Sequence, residues 1–358
     1  MAATPQPSSV TYEELADLEA EFDDLDVELL RLQARRERPL YERRAQLVRR
    51  IPNFWPLVLE QAPPEIDQYI QPTDANLLLS ALEDVEITRF EVLEADEAST
   101  IAADTATEAP AMAGSANGTT TVLPDPRSLA IRFTFAPNDY FADRVLEKRF
   151  WYRHAPSGGR NGGSGGDGGS WSGLVSEPVS VQWKPGKDLT GGVLDLAVQA
   201  FQAAGTDREA DATAALQAAL DKTSVDGLSF FAWFGYVGRR ITAQESQTAA
   251  AEQRAKRAAR EARRAEKRNQ GASAAEGEED ENDADGEDED EDDDGGYPHE
   301  IFLDGDTVAV TLAEDVWPNA IKYFRQAQEQ DALSDDDFES GSEVDEPSGA
   351  PPSKKQKT

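Results

Sequence analysis

Carboxylates are the residues of this chain whose number and spacing could do chemistry. Residues 276–294 contain 15 Asp or Glu and neither Lys nor Arg, and residues 331–346 contain 8 more. A polyanion of this density imitates the phosphate backbone of DNA, and it can bind Lys- and Arg-rich proteins through many ion pairs that are individually weak and screened by salt. The acidic runs therefore favour a basic protein partner, while a solvating tail without a specific partner stays open as the simpler interpretation.

Catalytic and metal chemistry has little support in the sequence. The chain has no cysteine, and its two histidines are His154 and His299, so thiolate metal sites, thiol catalysis and histidine-based acid–base chemistry are not expected. Residues 163–168 fit the pattern G-x-G-x-x-G, but no helix is predicted to open after them, so the phosphate-binding mechanism of that motif is missing. We expect a protein that is not an enzyme and that needs no cofactor and no metal.

The charge balance narrows the class of partner. Among 358 residues, 70 are acidic and 35 are basic, which gives a formal net charge of −35. This balance argues against nucleic acid as the main partner, since phosphate binding needs a basic face. Segments of high net charge bury too little apolar surface to offset ordering entropy, so parts of the chain should be disordered. No apolar run reaches the roughly 18 residues of a membrane span, and no secretory signal is visible, so we expect an intracellular protein without membrane contact.

The composition divides the chain into folded and non-globular stretches. Segments rich in Ala, Thr and Glu, in Gly, or in charge interrupt the regions that carry apolar periodicity. The predicted organisation is a disordered N-terminus at 1–10, a dimerisation helix at 11–50, a folded domain at 51–330 with flexible inserts at 95–126, 156–170 and 241–296, and a disordered acidic tail with a basic end at 331–358.

The first helix carries an apolar seam. Six apolar residues are spaced alternately by three and four positions, which is the a/d pattern of a heptad repeat. The seam residues are Leu15, Leu18, Phe22, Leu25, Leu29 and Leu32. Because a helix of about 40 residues spans roughly 60 Å, it needs a partner along its length, and the seam predicts a homodimer. The alternative is a seam that packs on the chain's own core. Pro39 is expected to kink or break the helix.

Downstream residues predict a sheet covered by helices. Four stretches alternate apolar and polar residues, as half-buried strands do. They are 85–92 (with one register change), 131–135, 146–152 and 179–183. Helices are predicted around 73–82, 192–221, 228–237 and 313–330. Short or loop-like connections between the strands favour an antiparallel meander, so the predicted fold class is α+β with helices on one face of the sheet.

Five motifs follow the long helix in one order. They are Ile51-Pro-Asn-Phe-Trp55, Val85-Glu-Ile-Thr-Arg-Phe90, Val181-Gln-Trp-Lys-Pro-Gly-Lys-Asp-Leu-Thr190, Ser229-Phe-Phe-Ala-Trp-Phe234 and Asp315-Val-Trp-Pro-Asn319. This order resembles the nucleosome assembly protein family, and its SET-like branch in particular. The resemblance implies a long dimerisation helix and an "earmuff" domain, with a four-stranded antiparallel sheet and underlying helices.

The resemblance also implies a function. Members of the family are histone chaperones, so the expected activity is binding of core histones and promotion of nucleosome assembly and disassembly. The alternative function is that of a regulatory adaptor, which acts through an enzyme partner either by presenting histones to an acetyltransferase or by inhibiting a phosphatase.

The resemblance places specific histone contacts on the acidic underside of the earmuff, around the last motif. The candidate histone-binding residues there are Glu300, Asp304, Asp306, Glu314 and Asp315. The acidic run adds Glu287, Asp288, Glu289, Asp290, Glu291, Asp292, Asp293 and Asp294. For Glu314 and Asp315, the alternative is that they cap the helix that begins near Trp317.

Basic segments interrupt this acidic chain. Lys184 and Lys187 flank a Pro-Gly turn and could make a weak DNA contact, with a solvated hairpin tip as the alternative. Residues 254–268 carry eight basic residues and are helical by propensity. For this segment a nuclear localisation signal, a nucleic-acid contact, an internal ligand for the neighbouring acidic run and a solvated helix all stay open.

The C-terminal segment carries candidate signals for location and regulation. A short basic cluster there fits a nuclear signal read by importin, which predicts a nuclear protein and leaves shuttling with the cytoplasm open. Its residues are Lys354, Lys355 and Lys357. Serines in acidic surroundings fit an acid-directed kinase, and phosphate there would add negative charge. The candidate sites are Ser334, Ser340 and Ser342.

Overall fold

The computed structural model describes residues 12–96, 124–155, 171–222, 227–269, 297 and 299–340. Its helices are α1 (Tyr12–Val48), α2 (Phe54–Glu60), α3 (Pro64–Asp67), α4 (Pro72–Ala81), α5 (90–96), α6 (Val193–Ala203), α7 (Glu209–Leu220), α8 (Ala243–Asn269), α9 (Gly305–Thr311) and α10 (Ala320–Ser340). Its strands are β1 (Leu82–Thr88), β2 (Leu129–Phe135), β3 (Val145–His154) and β4 (Ser172–Ser176). A 3₁₀ helix (Phe230–Gly235) and a π-helical turn (Leu312–Val316) lie between these elements.

Helix α1 runs through Pro39 as one element of 37 residues, about 55 Å long. The expected break at this proline is therefore wrong. A proline inside a helix costs about 3 kcal/mol, because it lacks an N–H and its ring clashes with the preceding turn. Arg44 and Val48 in the following turns are buried against the rest of the chain. This packing offsets the local cost and keeps the helix continuous.

The four strands form one antiparallel sheet in the order β1-β2-β3-β4. The α+β class with a four-stranded antiparallel sheet is therefore confirmed. In the register of β2 with β3, Phe133 lies opposite Leu146, and both are buried together with Ile131 and Phe150. The apolar alternation at 131–135 and 146–152 thus marks real strands and their inward faces.

Two of the predicted strand positions are wrong. The fourth strand is β4 and not residues 179–183, where Trp183 makes an isolated bridge to Phe141. The strand predicted at 85–92 ends at Thr88, and α5 follows it. Strand β4 is hard to see in the sequence because Gly173 and two serines give it a low β propensity. Residues 179–183 alternate because they pack on the core from a loop, with the Trp183 ring 5.7 Å from that of Phe141.

The 3₁₀ helix supplies much of the core. Phe230, Trp233 and Phe234 lie against Phe133 of β2, with ring centroids 6.1–6.2 Å apart and the rings close to perpendicular. Edge-to-face pairs of this kind stabilise a fold beyond the apolar area that they bury. The aromatic motif therefore holds the helical layer on the inward face of the sheet.

A buried lysine ties the sheet to this 3₁₀ helix. Lys148 lies fully buried on β3, and its Nζ donates to the carbonyls of Glu177, Phe234 and Tyr236 at 2.9–3.0 Å. Burial lowers the pKa of Lys148 to about 7, while the nearby charges of Glu300 and Glu177 raise it. An ammonium group has three donors, and each of them meets a carbonyl here, so one side chain joins three segments of the core.

Two further predictions about helices need correction. The helix predicted around 192–221 is two helices, α6 and α7, and Gly205 between them has a φ of 75°, a left-handed conformation that ends helices. The helix predicted around 313–330 begins as the π-helical turn and continues as α10. Within the insert predicted to be flexible at 241–296, residues 243–269 form the helix α8.

Candidate functional site

The apolar seam of α1 is uncovered in the single chain. Its six residues, from Leu15 to Leu32, keep 49–60% of their surface exposed. The alternative of a seam packed on the chain's own core is therefore wrong. Leu40 and Leu47 are also exposed, and the helical period places them on the same face. Sequence reasoning missed these two leucines because Arg36 and Pro39 interrupt the heptad spacing.

A stack around Arg44 fixes the other side of α1 to the domain. The Arg44 guanidinium lies 4.1 Å from the ring centroid of Trp317 and 4.7 Å from that of Tyr41, and it donates to the Trp317 carbonyl. Trp317 in turn stacks on Trp55, with centroids 5.3 Å apart and planes 4° apart. Burial lowers the pKa of Arg44 to about 10. These contacts set the direction in which the seam faces.

The basic helix α8 begins on the sheet. Ser246 Oγ accepts the backbone N–H of His154 at 2.9 Å, and Ala249 one turn later is buried. From this attachment the helix extends for 27 residues, which is about 40 Å. Its length is sufficient to reach the N-terminal half of α1.

The acidic half of α1 meets α8 through two ion pairs. Arg257 Nη1 lies 2.9 Å from Asp24 Oδ2, and Arg260 Nη1 lies 3.6 Å from Asp17 Oδ1. The contact covers Asp17, whose side chain keeps 13% of its surface exposed. Among the interpretations of residues 254–268, this geometry favours an internal ligand for an acidic segment. The acidic segment that the structure describes is α1, whereas the run at 276–294 lies outside the described residues.

We expect Arg257→Glu with Arg260→Glu to loosen the acidic half of α1. The substitutions replace two attractive pairs by repulsive ones, and each such pair is worth up to about 1 kcal/mol. Backbone amides of residues 12–30 should then exchange their hydrogens several-fold faster, as measured by hydrogen–deuterium exchange with mass spectrometry.

A matched control and a rescue sharpen this test. Arg254→Glu with Lys256→Glu makes the same charge change at exposed positions of α8 and should leave the exchange of residues 12–30 unchanged. Adding Asp17→Arg and Asp24→Arg to the first variant should restore slow exchange. Equal acceleration in the test and control variants would show that net charge matters and the specific contact does not.

Glu300 is built into the fold. Its Oε2 accepts the N–H groups of Val237 and Gly238 at 2.8 and 2.9 Å, and its Oε1 accepts those of Ile301 and Phe302 at 3.0 and 3.3 Å. Burial raises the pKa of Glu300, and the backbone hydrogen bonds oppose that rise. Because both carboxylate oxygens are occupied, we assign Glu300 to the support of the acidic surface and not to its contact face.

Asp304 and Asp306 lie at the start of α9. Asp304 is exposed and accepts a hydrogen bond from the Tyr69 hydroxyl, while Asp306 is half-buried. Burial, with the hydrogen bond to Asp304, raises the pKa of Tyr69 to about 12. The Tyr69 ring also packs on Phe302, with centroids 4.5 Å apart. These contacts hold Asp304 in one place while leaving it accessible to a partner.

Glu314 and Asp315 lie on the π-helical turn and have different surroundings. Glu314 is exposed, and its Oε1 lies 3.6 Å from Arg89 Nη2. The Asp315 carboxylate accepts Asn319 Nδ2 at 3.0 Å and the Tyr323 hydroxyl at 2.7 Å. Burial, with the hydrogen bond to Asp315, raises the pKa of Tyr323 to about 12. Asp315 therefore stabilises the start of α10, close to its predicted capping role, and Glu314 is the more accessible of the two.

Several predicted site residues lie outside the described residues. They are Glu287, Asp288, Glu289, Asp290, Glu291, Asp292, Asp293, Asp294, Ser342, Lys354, Lys355 and Lys357. The backbone of Ser334 and of Ser340 belongs to α10.

The turn at Lys184 and Lys187 is tied to a neighbouring loop. Lys184 Nζ donates to the Asn138 carbonyl, and Lys187 Nζ lies 5.6 Å from the centroid of the Tyr140 ring. Gly186 between the lysines has a φ of 71°, which a tight turn needs. These contacts favour a structural turn over a DNA contact.

Candidate metal sites and membrane-spanning helices were both sought among the residues that the structure describes. Among these residues, no group of three or more His, Asp or Glu residues is arranged to hold a metal ion. None of the helices that they form combines the length and the apolar character needed to cross a membrane.

Comparison with the sequence profiles of known families shows to which family this chain belongs. The sequence profile described as "Nucleosome assembly protein (NAP)" matches residues 8–327. The chain belongs to the nucleosome assembly protein family. The resemblance drawn from the five motifs is thereby confirmed, and the match extends from the start of α1 into α10.

Individual relatives share between a quarter and a third of their residues with this NAP-family chain over the part that matches. A putative nucleosome assembly protein of Schizosaccharomyces pombe is 32% identical over 180 residues, which are 50% of this chain and 59% of the relative. Protein SET of Drosophila melanogaster is 26% identical over 152 residues, which are 42% of this chain and 40% of that protein. The chain thus spans less than two thirds of the length of either relative.

Solved structures similar to this NAP-family chain include two named proteins. The crystal structure of Ccp1 is 25% identical, with a TM-score of 0.47, and the match covers 88% of this chain and 95% of Ccp1. The crystal structure of Vps75 is 16% identical, with a TM-score of 0.45, and the match covers 88% of this chain and 98% of Vps75.

The motifs that mark the NAP family meet in the core. Trp55 of the first motif stacks on Trp317 of the last, and Trp183 of the third lies 5.6 Å from Phe231 of the fourth, ring to ring. The motif order therefore reports a shared core. It says little about the surface carboxylates, which have to be judged by their exposure and hydrogen bonds.

Proposed function

We propose that this NAP-family protein is a homodimeric histone chaperone that binds core histones. Membership of the family carries the proposal, and the uncovered seam of α1 and the net charge of −35 support it. The mechanism is binding and charge neutralisation. Carboxylates lower the effective charge of the histones, shield them from non-productive DNA contact, and yield them to DNA, which competes as a denser polyanion.

We infer that the folded part of the histone contact consists of Asp304, Asp306 and Glu314. These three carboxylates are exposed or half-buried, whereas Glu300 and Asp315 have hydrogen-bond partners on both oxygens. The acidic run at 287–294 would act as an auxiliary that raises the rate of encounter, since long-range charge attraction mainly increases association rates. A nuclear location read from Lys354, Lys355 and Lys357 completes the proposal.

The proposal can be tested by light scattering after size exclusion. Full-length protein and a version lacking 276–294 and 331–358 are run alone and with each core histone pair at physiological salt. A dimer that takes up histones in both versions supports the folded contact, and uptake by full-length protein alone would assign binding to the acidic runs. Absence of uptake in both would overturn the chaperone proposal in favour of an adaptor that acts through an enzyme partner.

We expect Asp304→Asn with Asp306→Asn to weaken histone binding about five- to tenfold at physiological salt. Each exposed ion pair contributes up to about 1 kcal/mol and is screened by salt, so the double variant should also show a smaller dependence of affinity on salt. Titrations at three salt concentrations measure both effects. The control is Asp207→Asn with Asp211→Asn, which removes one exposed carboxylate just before α7 and one within it. This control should change neither the affinity for histones nor its dependence on salt. Equal losses of affinity in the two double variants would mean that net charge alone decides binding.

A further inference from the structure

Leu303 is the most exposed large apolar side chain among the described residues, with 74% of its surface accessible. Single exposed leucines are common on protein surfaces and carry no meaning by themselves. Two features of this leucine bear on its role, which are the hydrogen bonds that hold its flanking residues and the carboxylates close to it.

The backbone on both sides of Leu303 is held firmly. Before it, the four hydrogen bonds of Glu300 and the ring contact of Phe302 with Tyr69 fix the chain. After it, the Gly305 carbonyl accepts Trp233 Nε1 at 2.8 Å from the core. Gly305 also lies so close to the Tyr236 ring that an added Cβ would come within 2.2 Å of it. The exposed side chain is thus presented by an ordered segment.

Carboxylates lie close to Leu303 in the sequence and on the helix that packs against α9. Asp304 and Asp306 follow Leu303 in the sequence, and α3, which carries the exposed Glu65 and Asp67, packs against α9. A partner that fits this surface must offer an apolar contact with Lys or Arg at its rim. A basic protein provides that combination, whereas nucleic acid would be repelled by the four carboxylates.

We propose that Leu303 is the apolar anchor of the histone-binding surface and that it packs into an apolar depression of a core histone pair. This inference rests on the proposed function and names the residue that gives the acidic surface its shape specificity. An anchor on a pre-ordered backbone binds without a large ordering cost, and residues that lose their solvent at the centre of an interface contribute most of its binding energy. Its contribution is apolar, so it should be insensitive to salt, unlike that of Asp304 and Asp306.

The test measures the affinity of the full-length protein for each core histone pair at three salt concentrations. Leu303→Ala should weaken binding of at least one pair about tenfold at every salt concentration, with an unchanged salt dependence. Leu303→Met keeps the apolar volume and should stay within about twofold of the unsubstituted protein. Leu79→Ala, at an exposed leucine of α4, is the matched control and should have no effect.

The outcomes separate this inference from the proposed function. If the unsubstituted protein binds histones and Leu303→Ala binds them equally well, the anchor is refuted while the chaperone proposal stands. If Leu303→Ala weakens binding but also changes the salt dependence, the residue acts through the charged surface and the apolar anchor is again refuted. If the unsubstituted protein binds no histone pair, the function fails and the anchor with it. Unchanged thermal unfolding of Leu303→Ala verifies that the variant is folded.

Discussion

Leu25→Asp with Leu29→Asp is expected to convert the proposed dimer into a monomer at micromolar concentration. The seam residues are about half exposed in the single chain, and burying that exposed half in a partner contributes about 1 kcal/mol each. Two aspartates per chain would have to enter this apolar interface or separate it, and burying unpaired charge costs several kcal/mol. We expect the dissociation constant to rise by about three orders of magnitude.

Light scattering after size exclusion measures this change as a fall from twice the chain mass to once the chain mass. Leu79→Asp introduces one aspartate per chain at a similarly exposed leucine of α4, away from the seam, and should leave the dimer intact, whereas Leu25→Asp or Leu29→Asp alone should already weaken it. Circular dichroism checks that both variants fold. A monomeric unsubstituted protein, or a dimer that survives both seam substitutions, would contradict the role assigned to the seam.

Lys148→Met is expected to lower the free energy of unfolding by roughly 2–4 kcal/mol. The substitution keeps the length of the side chain but removes the donor shared by the carbonyls of Glu177, Phe234 and Tyr236. A buried carbonyl left without a partner costs about 1–3 kcal/mol. The Phe234 carbonyl keeps the Val179 N–H at 2.8 Å, and the relief from burying a cation offsets a further part of the loss. Urea unfolding measures the difference. Lys187→Met removes a lysine from the surface turn and should change the free energy by less than about 0.5 kcal/mol.

The same lysine should make stability depend on pH. Its pKa is about 7 in the folded protein against an ordinary value of 10.5, so between these values the unfolded chain binds more protons than the folded one. The free energy of unfolding therefore rises with pH over this window. Since Lys148→Met lacks the titrating group, the gap between the two proteins should widen from pH 7 to pH 10. A gap that narrows would show that the carbonyls and the nearby Glu300 raise the pKa more than burial lowers it.

Local patterns in the sequence were sufficient for α1 and for two strands. The three–four spacing from Leu15 to Leu32 marks the helix and its exposed face, and the alternation of Ile131, Phe133 and Phe135 marks β2 and its inward face. Both periods follow from backbone geometry alone, which is why they can be read without any knowledge of the partners. The same alternation along β3 places Lys148 on the inward face of the sheet. The sequence gives no sign of the carbonyls that accept its hydrogen bonds.

Only the tertiary structure decided which groups meet. The sequence shows that residues 254–268 are basic and helical, but the contact of Arg257 with Asp24 joins residues 233 positions apart. Glu300 belongs by composition with the histone-binding carboxylates, yet backbone N–H groups from two segments occupy its oxygens. Strand β4 has weak local signals and exists because β3 offers it an edge. Such pairings depend on where distant elements pack, and neither local propensity nor charge pattern contains that information.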